Sequence, residues 1–149
     1  MKNILFSAIA IMAIVAVYAF NNPRVNFKED KNKNEGIQFY KGNWKEALKL
    51  AKKENKLIFL DIYATWCGPC KKLKHNTFSN NETGRFYNAN FINVSLDGET
   101  GDGAMLASQY GLTGYPSLMF IDAEGKLIHL TTGYMSAGQL LQMGKSISK

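Results

Sequence analysis

The chain predicts a single α/β domain, a central mixed β-sheet flanked by helices. Three observations carry that expectation. Residues 57–64 (LIFLDIYA) and 91–96 (FINVSL) are continuous apolar runs of strand length, the pattern of strands buried on both faces of a parallel sheet. The stretches between them carry helical spacing, as crossovers between parallel strands require. Residues 117–121 and 126–131, separated by Asp122-Ala123-Glu124-Gly125, read as an antiparallel hairpin. With 149 residues, 46% of them hydrophobic and 20% charged, the chain has room for one core and short appendages.

In chain order, residues 1–20 read first as a targeting segment. Lys2 gives a positive start, and positions 4–20 are apolar apart from Ser7 and Tyr18. Val17-Tyr18-Ala19 offers small residues at the spacing for signal-peptide cleavage after Ala19. The run is slightly short for a membrane span, which favours a cleaved signal peptide and leaves a retained N-terminal membrane anchor as the alternative. Either reading places the remainder outside the cytoplasm, in the periplasm or an equivalent compartment. Residues 21–36 are polar and rich in Lys and Asn, a flexible linker ahead of a domain over 37–149.

Within the domain, residues 37–40 read as a short first strand. Asn43 is placed to cap a helix running to about Glu54, with Trp44, Ala47, Leu48 and Ala51 at helical spacing. The apolar run 57–64 follows, interrupted by one charge, Asp61. A helix should then open at the cysteines and continue towards Phe78, with another over 79–90 carrying Phe86 and Tyr87. After the strand at 91–96, residues 97–103 look like a glycine- and acid-rich loop, and 104–110 like a short helix ended by Gly111. Ser136 opens a last amphipathic helix with Leu140, Leu141, Met143 and Ile147 facing inward.

The formal charge of +6 comes from lysines interleaved with Asp, Glu and Asn. That patterning describes a solvated face and argues against a nucleic-acid partner. The chain has two cysteines, Cys67 and Cys70. A disulfide across so short a loop braces little, so reactivity explains the pair better than stability does. In the order strand, Trp66-Cys67-Gly68-Pro69-Cys70-Lys71, helix, the free N–H groups of the first turn would stabilise negative charge on the first sulfur. Cys67 is therefore expected to be an exposed, easily ionised nucleophile. Cys70, one turn on, would face it and resolve a mixed disulfide. Pro69 is tolerated in a first turn, whose N–H groups have no partner in the helix.

These residues resemble the thioredoxin family. WCGPCK matches its active-site motif, Asp61 lies six positions before Cys67, Gly114-Tyr115-Pro116-Ser117 matches its cis-proline segment, and Gly133 follows. The stretch from Asp61 through Thr77-Phe78-Ser79 to Pro116 is most similar to periplasmic thioredoxin-like domains of membrane disulfide reductases of the DsbD group. The resemblance implies a thioredoxin fold and a thiol-disulfide oxidoreductase that needs no cofactor beyond its own Cys67–Cys70 disulfide. It implies Cys67 as attacking thiolate, Cys70 as resolving thiol, and Asp61 as a buried acid of raised pKa that takes a proton from Cys70. Trp66, Gly68, Pro69, Tyr115 and a cis Pro116 would form the surface that receives substrate. Protein thiols and disulfides are the implied substrates. A reductase in an oxidising compartment needs an electron source, so a membrane electron donor is expected, and no apolar stripe beyond the core calls for a dimer, so a monomeric domain is expected. The chain departs from the family in carrying Asn93 where many members place a lysine near the acid, and in the bulk of Tyr115.

Three other readings remain beside the reductase. Gly-Pro between the cysteines is the dipeptide of reducing thioredoxins, but an oxidase or isomerase would use the same pair. A peptide-binding module without redox turnover would use the Tyr115-Pro116 groove alone. A zinc site would need two further ligands, and His75 and His129 are poorly placed to supply them, one on the motif's own helix and the other in the hairpin.

Overall fold

The structure, a computed structural model, describes residues 36–148. The segment expected at 1–20, and the linker expected at 21–36 except Gly36, lie outside the described residues. Among the described residues no helix is long and apolar enough to cross a membrane.

The described residues form five α-helices and four strands in the order the apolar pattern implies. They are α1 (Trp44–Glu54), β1 (Leu57–Tyr63), α2 (Gly68–Lys72), α3 (Asn81–Asn90), β2 (Phe91–Asp97), α4 (Gly101–Gln109), β3 (Ser117–Ile121), β4 (Leu127–Thr132) and α5 (Ala137–Ile147). The sheet order is β2-β1-β3-β4. β1 and β2 are parallel, with Phe59 opposite Asn93 and Asp61 opposite Ser95. β3 runs antiparallel to both β1 and β4.

Alternation along the strands divides the core in two. Ile58, Leu60, Ile62, Ile92, Val94, Met119 and Ile121 pack with Trp44, Ala47, Ala51 and Leu106 of α1 and α4. Phe59, Phe91, Leu118 and Phe120 pack on the opposite face with Leu73, Phe78, Tyr87 and Leu140. Asp61 shares the second face with Phe59, so its carboxyl points to the side of the sheet from which the cysteine helix approaches.

Helix ends follow local chemistry. Asn43 accepts the Glu46 N–H at 2.9 Å while the Glu46 carboxylate accepts the Asn43 N–H at 3.2 Å, a reciprocal cap on α1. Ser136 and Gln139 make the equivalent pair on α5. The Asp102 carboxylate, in the first turn of α4, accepts the Trp44 N–H at 2.8 Å.

Three expectations are corrected. Residues 37–40 are not a strand: Ile37 donates to the Phe78 carbonyl and Tyr40 to the Asn93 carbonyl, so the two bonds reach different elements and build no ladder. The loop expected over 97–103 is already helical from Gly101, and Gly103 makes this packing feasible because a Cβ there would lie 2.0 Å from the Asp97 carbonyl oxygen. The helix expected from the cysteines to Phe78 changes hydrogen-bond step midway. After Lys72 it widens to a π-helical turn over Leu73–Thr77, with the Phe78 N–H bonded to the Leu73 carbonyl. The Thr77 hydroxyl of that turn donates to the Met135 carbonyl at 2.6 Å and joins it to the approach to α5.

Candidate active site

β1 ends at Tyr63 and the chain turns through Ala64, Thr65 and Trp66 into α2. Cys67 caps the helix with extended backbone, and its Sγ accepts the Cys70 N–H at 3.1 Å. A sulfur in this position receives the donor that a capping side-chain oxygen normally satisfies, and it lies at the positive end of the helix dipole. Cys67 and Cys70 are joined as a disulfide, with their Cα atoms 5.3 Å apart.

The expectation of an exposed Cys67 is overturned: the residue is 2% exposed. The cap turns its Sγ inward towards the Cys70 N–H, and Ala64, Tyr63 and Tyr115 pack around the disulfide. The exposed parts of the motif are Gly68, Pro69 and, at 68%, Trp66. Both expected histidines are exposed, and among the described residues no group of three or more His, Cys, Asp or Glu comes together to hold a metal ion.

Asp61 is 4% exposed. Burial pushes its carboxyl up to about 7, against an opposing hydrogen bond from the Ser95 hydroxyl, which donates to Oδ2 at 2.7 Å. A cavity of about 420 Å³ is lined by Asp61, Ser95 and Cys70, with Lys71, Lys74 and Phe78 also on its walls. That volume has room for several waters, and polar groups line part of it. Asn93, on the same face of β2, is directed elsewhere: its side-chain amide donates to the Gln38 carbonyl and to Asn88 Oδ1.

On the other side of the disulfide, the Tyr115–Pro116 peptide is cis. The Pro116 carbonyl accepts the Gly133 N–H at 2.8 Å, which ties this loop to the end of β4. The Tyr115 ring meets the Trp66 indole edge to face at 6.1 Å. The Trp66 Nε1–H donates to Glu99 Oε1 at 2.9 Å, so the loop after β2 holds the indole in place. Gly98 in that loop leaves the space the tyrosine occupies: a Cβ there would lie 2.5 Å from Tyr115 Cε1 and 2.6 Å from the Ile62 Cγ2. Lys72 Nζ sits 4.5 Å from the centre of the Tyr134 ring, just beyond Gly133.

The structure thus brings Cys67, Cys70, Asp61, Trp66, Gly68, Pro69, Tyr115 and Pro116 to one end of the sheet. Sequence reading missed Ser95, Gly98 and Glu99. The available signal for Ser95 was a polar residue inside an apolar strand, but only the β1–β2 register shows that it meets Asp61.

A family model for a thioredoxin-like domain matches residues 44–148. The thiol:disulfide interchange protein DsbD of Yersinia pestis is 32% identical over 96 residues, covering 62% of this chain and 16% of that protein. The chain therefore spans about one sixth of the length of this curated relative. The solution structure of a protein described as a candidate disulphide isomerase from Bacteroides thetaiotaomicron is 38% identical, with a TM-score of 0.67, covering 76% of this chain and 93% of that one. A structure described as DsbH oxidoreductase is 25% identical, with a TM-score of 0.66, covering 81% of this chain and 91% of that one. With its mixed sheet, its cysteine pair at a helix start and a family match over most of its length, this chain belongs to the thioredoxin-like domain family.

Proposed function

We propose that the protein reduces disulfides in extracytoplasmic proteins through Cys67 and Cys70. The observation that carries this reading is the placement of Cys67 Sγ as the cap of α2, accepting the Cys70 N–H. A thiolate formed there keeps the same donor and gains the favourable end of the helix dipole, which makes it the attacking sulfur. In the reduced protein, Cys67 thiolate attacks one sulfur of a substrate disulfide and displaces the other as a thiolate. Cys70 then loses its proton, attacks Cys67 Sγ and releases the second substrate thiolate. Two electrons pass from the cysteine pair to the substrate, and the Cys67–Cys70 disulfide forms. Asp61 is the group that accepts the Cys70 proton, through water in the cavity both residues line.

Substrate would dock on the exposed rim made by Trp66, Gly68 and Pro69, with the backbone of Tyr115 and Pro116 beside the sulfurs. The apolar segment at 4–20 supports a location outside the cytoplasm, cleaved or anchored there. A reductase in an oxidising compartment needs its electrons replaced, so a membrane donor that re-reduces the pair belongs to this reading.

The reducing direction rests on Gly68-Pro69, the dipeptide of thioredoxins, which lie near −270 mV, against about −120 mV for the oxidant DsbA. The equilibrium potential of the pair in the full chain tests it, with thiol buffers setting the poise and alkylation with mass spectrometry reading it. A value below about −230 mV is expected. A value between about −120 and −180 mV would instead favour disulfide isomerisation or oxidation. The 38% identity to a candidate disulphide isomerase keeps that second reading in view.

A further inference from the structure

The buried acid has a partner that the motif does not predict. Parallel pairing sets Asp61 of β1 opposite Ser95 of β2, and the Ser95 hydroxyl donates to Asp61 Oδ2 at 2.7 Å. Among the described residues, no other side chain donates to this carboxyl. Around the shared cavity, the charged or titratable groups facing Asp61 are Lys71 of α2, Lys74 of the π-helical turn, Tyr63 of its own strand and Cys70. From β3, the residue opposite Asp61 is the apolar Leu118. The two lysines are exposed and Asn93 is engaged with Gln38 and Asn88, so among the described residues no buried cation offsets the burial of the carboxylate.

We propose that Ser95 is the positioning residue of this site: its hydroxyl, donated across the β1–β2 pair, fixes the buried Asp61 carboxyl towards the cavity it shares with Cys70. The inference rests on the oxidoreductase reading above. When Cys70 resolves a mixed disulfide, its proton passes to Asp61, the Cys70–Cys67 bond forms, and the Cys67–substrate bond breaks. The departing substrate thiolate carries the electron pair, and the Asp61 proton returns to solvent through the cavity. A hydroxyl donor favours the charged carboxylate and weakens as a partner once the acid is protonated. Ser95 therefore opposes burial and brings the acceptor into the neutral range, where a proton from a thiol can be received.

The test compares the full chain with Ser95→Ala, Ser95→Thr and Ser95→Val. In the oxidised form the cysteines do not titrate, and carbon-13 carboxyl NMR, assigned with Asp61→Asn, reads the acid directly. In the reduced form, stopped-flow reaction with 5,5′-dithiobis(2-nitrobenzoate) separates attack by Cys67 from resolution by Cys70. Ser95→Ala and Ser95→Val should each raise the Asp61 midpoint by about one unit. They should slow resolution about fivefold at about pH 7, where the ionised fraction of the acid falls, without slowing the attack phase. Ser95→Thr should restore both, because it differs from Ser95→Val only in the hydroxyl. That matched pair carries the test if Ser95→Ala fails to fold. An Asp61 midpoint unchanged in Ser95→Val, with the wild-type chain active, would overturn the role of Ser95 alone. A wild-type chain that exchanges no disulfide with the reagent would instead overturn the function on which that role rests.

Discussion

The indole of Trp66 is held by Glu99, 33 positions further along the chain, through a 2.9 Å hydrogen bond from Nε1 to Oε1. The same loop contains Gly98, against which Tyr115 lies. The aromatic cover of the disulfide is thus seated on the loop after β2, which no part of the cysteine motif specifies.

Replacing Gly98 with alanine tests that seating. The new methyl would sit 2.5 Å from the Tyr115 ring and 2.6 Å from Ile62, so the tyrosine must swing away. We expect a loss of about 1–3 kcal/mol of stability, as for other overpacked sites, read as a fall in the unfolding midpoint. With its cover displaced, the Cys67–Cys70 disulfide should also be reduced faster by a small phosphine. Equal reduction rates in the variant and the wild type would separate Tyr115 from control of access.

Asp61 makes stability depend on pH in a defined direction. Its folded value, about 7, lies above the ordinary 3.8, so between those limits the folded chain binds more protons than the unfolded one. Stability therefore falls as pH rises from about 4 to about 7, levels off above that, and is fully recovered only below the unfolded value. The span corresponds to about 4 kcal/mol for a fully buried group. Asp61→Asn should remove the slope and stabilise the oxidised protein at pH 8 by roughly 2–4 kcal/mol. Chemical denaturation at pH 5 and pH 8 reads both effects, and a wild-type chain equally stable at the two values would contradict them.

Cys70→Ser separates attack from resolution. The serine keeps the backbone N–H that points at Cys67 Sγ but removes the second thiol. Incubated with a disulfide-containing protein, this variant should accumulate a mixed disulfide through Cys67, visible as a mass increase that a reductant reverses. Cys67→Ser should accumulate little. The reverse pattern would exchange the two cysteine roles.

Tyr87 offers a control remote from the chemistry. Its hydroxyl donates to the Leu140 carbonyl at 2.8 Å, and its ring lies 4.7 Å from that of Phe59 in the core. Tyr87→Phe leaves the ring in place and removes one buried hydrogen bond to a carbonyl that the ladder of α5 still satisfies, at a cost of about 1 kcal/mol. Thermal unfolding should show that loss while the reduction potential stays at the wild-type value.

Much of the scaffold was legible because it depends on local pattern. The apolar runs around Phe59 and Val94 marked β1 and β2, and Asn43 and Ser136 marked two helix starts through side chains that reach only three residues ahead. The cis Tyr115–Pro116 peptide followed from resemblance to a family motif. What stayed hidden depends on contacts across the chain. Residues 37–40 have strand-like composition, yet their hydrogen bonds go to Phe78 and Asn93, on different elements. Cys67 reads as exposed from its place in the motif, but the inward turn of its cap and the packing of Ala64, Tyr63 and Tyr115 bury it. The partner of Asp61 was missed for a similar reason, since Ser95 lies 34 positions away and is selected by strand register.

The Asp102 carboxylate has a further consequence. It stands in the first turn of α4 and reaches the first N–H of α1, so one negative charge complements the starts of two helices that are distant in sequence. Thr100, the capping residue of α4, makes no side-chain cap of its own, and Asp102 is a polar link at that corner. Fraying at one helix start is therefore coupled to fraying at the other. In amide hydrogen exchange, the first turns of α1 and α4 should lose protection together in Asp102→Asn, as one cooperative unit of local opening.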